Sequence, residues 1–471
     1  MRYAQMIYQI DGWIDFVICT FNEDKEERMR STEQTSNDRA LYDFKAKLSF
    51  GHVASMGIQH VIAAVVGIIT PAIMVAGVCG LGADEMTLLI QASLLLSGIA
   101  TLIQLFPIFG KIGAGAPMIM GASFAYVPIL LSIGGTFGLP VIFGAQIIGG
   151  LVAMLVGLFI KRLRPLFPNL VTGTIILVIG LSLYPVAVKY MAGGAGSPTF
   201  GSIQNWVVAL ATFIIVVGCN YFGNTMIKRA AILIGIICGY IISLFFHMVD
   251  FQAIQAAQWF KVAVPMHFGI SFHPTAVAMM VIMFIVNSLQ AVGDFTATTT
   301  GGMDRMPTDQ ELSGGIMGSG LSSLLGGFTG GLPVATYSQN VGIVTVTRVV
   351  NRRVFAFAAI TIFIAGLFPK FAAILTTIPK AVVGGATISV FATIAMTGLK
   401  MLAKEKLTMR NTGVVGLSMA LGIGIAQSAN SLSGTPEWFS MIFGSSEVVL
   451  TTILAIVLNL ILPKTKDDIS E

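Results

Sequence analysis

Charge is scarce in this chain. Only 10% of its 471 residues are Asp, Glu, Lys or Arg, whereas soluble globular proteins carry about 25%. With 55% hydrophobic residues and a mean hydropathy of +0.85, the composition is that of a polytopic membrane protein. Cysteine is also rare. Cys19, Cys79, Cys219 and Cys238 show neither paired metal-ligand spacing nor a disulfide framework, and read as packing residues. No His-Glu-x-x-His run and no phosphate-binding Walker loop occurs, which argues against a zinc hydrolase and an ATP-driven pump. Asp294 is the one clear aspartate within an apolar span, and an intramembrane aspartyl protease needs two. The net charge of +5 is no nucleic-acid signal, because the basic residues lie in loops between apolar runs.

What the chain has in quantity is apolar length and glycine. Its 52 glycines suit membrane helices that pack closely. Segments long enough to span fall at about 51–75, 87–106, 116–133, 139–160, 168–188, 205–222 and 230–247. A second set falls at about 273–297, 310–327, 332–350, 353–368, 379–399, 411–428 and 444–462. The reading is therefore an all-α membrane protein of about fourteen segments. Lys161 to Arg164, Lys228-Arg229, Arg348 to Arg353, Lys400 to Arg410 and Lys464-Lys466 fall on one side of such an arrangement. By the positive-inside rule that side is cytoplasmic, and both termini with it. Residues 1–47 read as a polar cytoplasmic leader without the apolar core of a cleavable signal, with Met29 as an alternative start. Residues 464–471 read as a cytoplasmic tail.

Two stretches break the pattern. Gly330 to Asn351 opens with Gly-Gly-Leu-Pro, passes through the β-prone Val334-Ala335-Thr336-Tyr337, and sets Gln339-Asn340 where a new helix would begin. Irregular backbone at membrane depth is tolerated only where it is buried in protein or lines a cavity. Gly115-Ala116-Pro117 precedes Ser123-Phe124 much as Gly331-Leu332-Pro333 precedes Gln339-Asn340. Pro168, opening one span, is echoed by Pro379 at nearly the same separation. Seven spans apart, the two halves (48–250 and 270–463) form an inverted repeat. Its third and tenth spans are broken, contain short strands, and hold the site between them.

Gln339-Asn340-Val341-Gly342 followed by Thr347-Arg348 resembles the signature of the nucleobase-ascorbate transporters, the xanthine/uracil permeases. These carry Gln or Glu, then Asn-x-Gly-x-x-x-x-Thr. Purine members of that family also show Glu-x-x-Gly-Asp. Asp294 matches its acidic end, while Gln290 departs from it at the glutamate position. Ser319 departs again, where purine members often carry Asp. Gln59-His60 matches the Gln-His pair of the first span, and Ser123-Phe124 the other broken span. The resemblance covers residues 41–463.

It implies substrate binding by Gln339, Asn340, Gln290, Phe124 and Ser123, with Asp294, His60 and Ser319 coupling or supporting. It also implies core and gate domains, a homodimer, and a proton or sodium ion as coupling ion, with no other cofactor. The implied partners are a small nucleobase and the lipid bilayer of the cell membrane, not nucleic acid. An amide both donates and accepts, which suits the alternating N–H and C=O groups of a planar base. In that family a Gln at this position accompanies xanthine or urate, and a Glu often accompanies uracil. The alternatives are a uracil permease and an anion carrier of the same architecture.

Overall fold

A computed structural model describes residues 40–463, apart from 164–167, 195, 252–253, 256, 261–263, 429–430 and 445. Most of the leader and the whole tail thus lie outside the described residues. The end of the leader stretch packs on the body. Leu41 is buried, and the fully buried Asn351 amide donates to the carbonyls of Ala40, Asp43 and Ala46.

The chain runs α1 (Phe50–Val78), α2 (Ala83–Leu105), β1 (Met120–Ala122), α3 (Val127–Phe137), α4 (Leu139–Leu163) and α5 (Asn169–Met191). It continues through α6 (Ile203–Phe222), α7 (Thr225–Phe245), α8 (Pro274–Met303), α9 (Asp309–Thr329), β2 (Val334–Thr336) and α10 (Ser338–Thr347). The last elements are α11 (Arg352–Gly366), α12 (Pro369–Thr376), α13 (Lys380–Leu402), α14 (Met409–Gln427), α15 (Glu437–Gly444) and α16 (Glu447–Ile461). Among the described residues, seven helices are long and apolar enough to cross a membrane: α1, α2, α4, α5, α6, α8 and α13. Counting α11 with α12, which meet at a 79° bend, gives eight. The protein is a multi-pass, mostly helical membrane protein. Exposed side chains such as Leu155, Leu158, Ile214 and Phe222 give it the apolar outer surface that lipid requires.

Local signals set the ends of these helices. Thr308 and Glu311 form a reciprocal capping box at the start of α9. Gly330, at φ 81°, ends it in the left-handed region where glycine has no steric penalty. The chain then turns into β2, which pairs antiparallel with β1: Met120 opposite Thr336, Gly121 opposite Ala335, Ala122 opposite Val334. The β-prone reading of 334–336 holds. Both strands are fully buried.

Two such strands have outer edges that need partners. Met120 N–H donates to Thr101 Oγ1 of α2 at 2.9 Å, and Val334 N–H donates to Ser323 Oγ of α9 at 3.1 Å. Three buried glutamines donate to further backbone carbonyls. Gln146 donates to the carbonyls of Ser323 and Gly331, and Gln91 to that of Gly366. Gln104 donates to the Gly315 carbonyl and accepts from Ala114 N–H.

The helices gather into two groups. α5, α6, α7, α13, α14 and α16 pack mainly on one another, while α1, α2, α8 and α9 contact the strand pair and α4 and α11 pack on those helices. Glycine brings α5 and α13 together closely. A side chain at Gly180 would collide with the Ala395 backbone, and one at Gly398 with the backbone of Leu177 and Gly173. Gly180→Leu is therefore expected to lower stability by about 1–3 kcal/mol through overpacking. Gly218→Leu, placed in α6 where nothing lies nearby, serves as its control. Thermal unfolding in detergent checks this, and equal midpoints for the two variants would refute the close-packing account.

Candidate binding cavity

The end of β2 delivers the chain directly to the site. Tyr337 N–H donates to the Ile119 carbonyl at 3.1 Å, and its hydroxyl donates to the Ala122 carbonyl. Tyr337 is thus fixed at both ends to the chain around β1, and α10 begins at the next residue. The N–H groups of a helix's first turn have no partner within the helix. Here that turn borders a cavity of about 530 Å³, within the range of small-ligand pockets.

The cavity lies between the two helix groups. From one side come Ala63 of α1, Gln290 of α8, and Gln339, Gly342 and Ile343 of α10. From the other come Ile176 of α5, Asn220 of α6, Lys228 and Ile232 of α7, and the α13 face from Ser389 to Thr397. It is therefore apolar with a few convergent polar groups. Two of these, the Gln290 and Gln339 amides, were expected from sequence.

The other expected residues are placed around it. Asn340 is buried and turned away from Gln339, with its amide nitrogen donating to the His60 carbonyl at 3.2 Å and lying 3.0 Å from His60 Nδ1. Only the amide's donor end can face a carbonyl, so Nδ1 accepts and the imidazole proton sits on Nε2. The His60 ring packs on Phe355 with centroids 4.4 Å apart. This bond ties α10 to α1 immediately behind Gln339.

Asp294, one turn beyond Gln290, does not line the cavity. It accepts a hydrogen bond from the Thr336 hydroxyl of β2. Phe124 is buried edge-on against Phe391 of α13, with centroids 5.2 Å apart. The Ser123 hydroxyl accepts from Ala125 N–H within its own turn. Ser319 donates to the Gly315 carbonyl and lies 3.3 Å from Gln104 Nε2, away from the cavity lining.

Residues not singled out from sequence also contribute. Ser389, Thr393 and Thr397 place a hydroxyl stripe on the cavity wall. Their four-residue spacing on one helical face was the available signal. Each hydroxyl also donates to a carbonyl of the preceding turn. Asn220 and Lys228 gave no motif.

Solved structures bear first on the fold. The transmembrane domain of a cyanobacterial bicarbonate transporter, BicA, aligns over 89% of this chain and 100% of its own, with TM-score 0.57 at 15% identity. At that identity the likeness is one of fold, that of a membrane transport domain. Sequence comparison then places the chain. A permease-family model for xanthine/uracil permeases matches residues 51–431, and the chain belongs to that family. A Clostridium perfringens protein named as a purine permease is 37% identical over 94% of this chain and 96% of its own length. The xanthine permease of Bacillus subtilis is 33% identical over 88% and 94%. These are transporters rather than enzymes.

The two neighbouring amides should separate experimentally. Asn340→Ala leaves the buried His60 carbonyl without this donor, at an expected cost of about 1–3 kcal/mol. Gln339→Ala, on the cavity surface, should leave unfolding unchanged. Thermal melts of the two variants test this, and a Gln339→Ala loss as large as that of Asn340→Ala would contradict the assignment.

Proposed function

We propose that this chain is a secondary active transporter that imports a nucleobase, an oxidised purine such as xanthine or urate, by alternating access. The observation that carries the reading is the convergence of Gln290 and Gln339, side by side on one wall, on a single cavity between two helix groups. Each amide offers a donor and an acceptor, and together they match two edges of a planar ring carrying N–H and C=O groups. The relatives named for purine and xanthine support the same class. The groups containing α1–α4 and α8–α11 act as the core. Those containing α5–α7 and α13–α16 act as the gate. Movement of one against the other exposes the cavity to each side in turn. The inverted repeat of seven and seven spans, cytoplasmic termini and a homodimer complete this reading.

Proton coupling in this reading runs through Asp294. Its bond to Thr336 joins α8 to the strand that leads into Gln339. Protonation would weaken the carboxylate as an acceptor and loosen that connection, so charge on Asp294 and the position of Gln339 are linked. An intramembrane ionisable group of this kind has an insertion cost of about 2.5–3.5 kcal/mol, which favours a functional role.

Cells expressing the protein should show saturable uptake of xanthine or urate, and Gln339→Ala should abolish base binding to the purified protein. Uracil outcompeting every purine tested would overturn the specificity.

Asp294→Asn keeps an acceptor for Thr336 but cannot ionise. It should retain base binding while losing uphill accumulation in vesicles with an imposed pH gradient. Accumulation against a gradient by this variant would remove Asp294 as the coupling residue.

A further inference from the structure

The electrostatics of the cavity are one-sided. Seven helices border it: α1, α5, α6, α7, α8, α10 and α13. Asp294 is the single carboxylate carried by all of them, and it bonds to Thr336 instead of lining the cavity. Among the described lining residues, Lys228 is the one charged side chain.

Its position adds to the effect. Lys228 lies at the start of α7, whose cap is Asn224, with the Asn224 Oδ1 accepting from Ile227 N–H at 2.9 Å. No acidic residue occupies that first turn. A helix N-terminus carries a partial positive charge, so a lysine there is unfavourable for the helix and strengthens the positive field. The elements packed on α7 supply no compensation. α6 brings the titratable Cys219 and Tyr221, α1 brings His52 and His60, and α13 brings Lys380 and Lys400. Arg229 follows on α7 itself.

We propose that the cavity takes its heterocycle as the singly deprotonated anion, and that Lys228 selects this form. This rests on the nucleobase reading above and deepens it. Loss of one ring proton spreads negative charge over a ring nitrogen and its neighbouring carbonyl oxygen. The Gln290 and Gln339 amides can each turn a donor toward that edge and an acceptor toward the remaining N–H. A glutamate at either place would repel the anion, whereas Lys228 at the exposed border attracts it into a cavity of lower dielectric than water.

The test measures binding to the purified full-length protein between pH 5 and 8, with two ligands. Uric acid ionises on the acid side of neutrality, and hypoxanthine only in the alkaline range. Uric acid affinity should rise with pH along its own ionisation, while hypoxanthine binds weakly and without that rise. Lys228→Gln should weaken urate at pH 8 by about tenfold, equivalent to about 1.4 kcal/mol, and leave hypoxanthine unaltered. Lys228→Arg should keep urate affinity.

Equal affinity for neutral and ionised uric acid would overturn the anion proposal while leaving the nucleobase reading intact. A wild-type pH profile for Lys228→Gln would overturn the selecting role of Lys228, and equal losses for both ligands would do the same. Failure of both bases to bind would overturn the nucleobase reading, and this inference with it.

Discussion

Everything near the cavity depends on pairing two short strands in the middle of the protein. Backbone amides in a membrane interior have no water to turn to, and each one left unpaired is costly. β1 and β2 satisfy each other along one edge, and the hydroxyls of Thr101 and Ser323 receive the outer N–H groups. Buried glutamines tie the region together: Gln146 bonds the Gly331 carbonyl just past the end of α9, and Gln104 and Gln146 bond the Gly315 and Ser323 carbonyls within that helix. Because these partners come from different helices, the breaks are fixed in three dimensions. A helix can therefore begin at Ser338 inside the protein and present its first turn to a cavity.

That arrangement divides the polar side chains by task. Asn340 and His60 face inward and join α10 to α1. Gln339, the adjacent residue, faces the cavity. Successive residues in a helix point about 100° apart, so one dipeptide supplies both an anchor and a binding group. Gln290 and Asp294 divide similarly on α8, the first toward the cavity and the second toward Thr336. The cavity itself is left with amides, hydroxyls and one lysine. Its far wall belongs to a different helix group, so motion between the groups alters its access and shape without disturbing the strand pair.

Much of this was legible in the order of residues. Low charge and long apolar runs require a bilayer, since no soluble surface could be built from them. Gly330 to Pro333 cannot continue a helix, and Val334 to Thr336 favour a strand, so a break there follows from local chemistry. The motif around Gln339-Asn340 carried the family. The four-residue spacing of Gln290 and Asp294 placed both on one helical face, but could not say that only the first would reach the cavity.

The remainder depended on contacts between distant parts of the chain. No local signal pairs Met120 with Thr336, Asn340 with His60, or Gln104 with Gly315, because each bond joins residues whose neighbourhood exists only after the helices pack. Ser319 looked like a substitution at a functional position, and packing placed it beside Gln104 instead. Lys228 looked like an ordinary basic residue between spans. The approach of α7 to α10 and α13 around a shared void makes it part of the cavity wall. The sequence by itself determined a membrane protein, its family and where its helices break, because these follow from hydropathy, backbone chemistry and motif. Which polar groups meet was decided by tertiary structure, because a hydrogen bond requires two partners within about 3 Å, and chain order does not specify that distance.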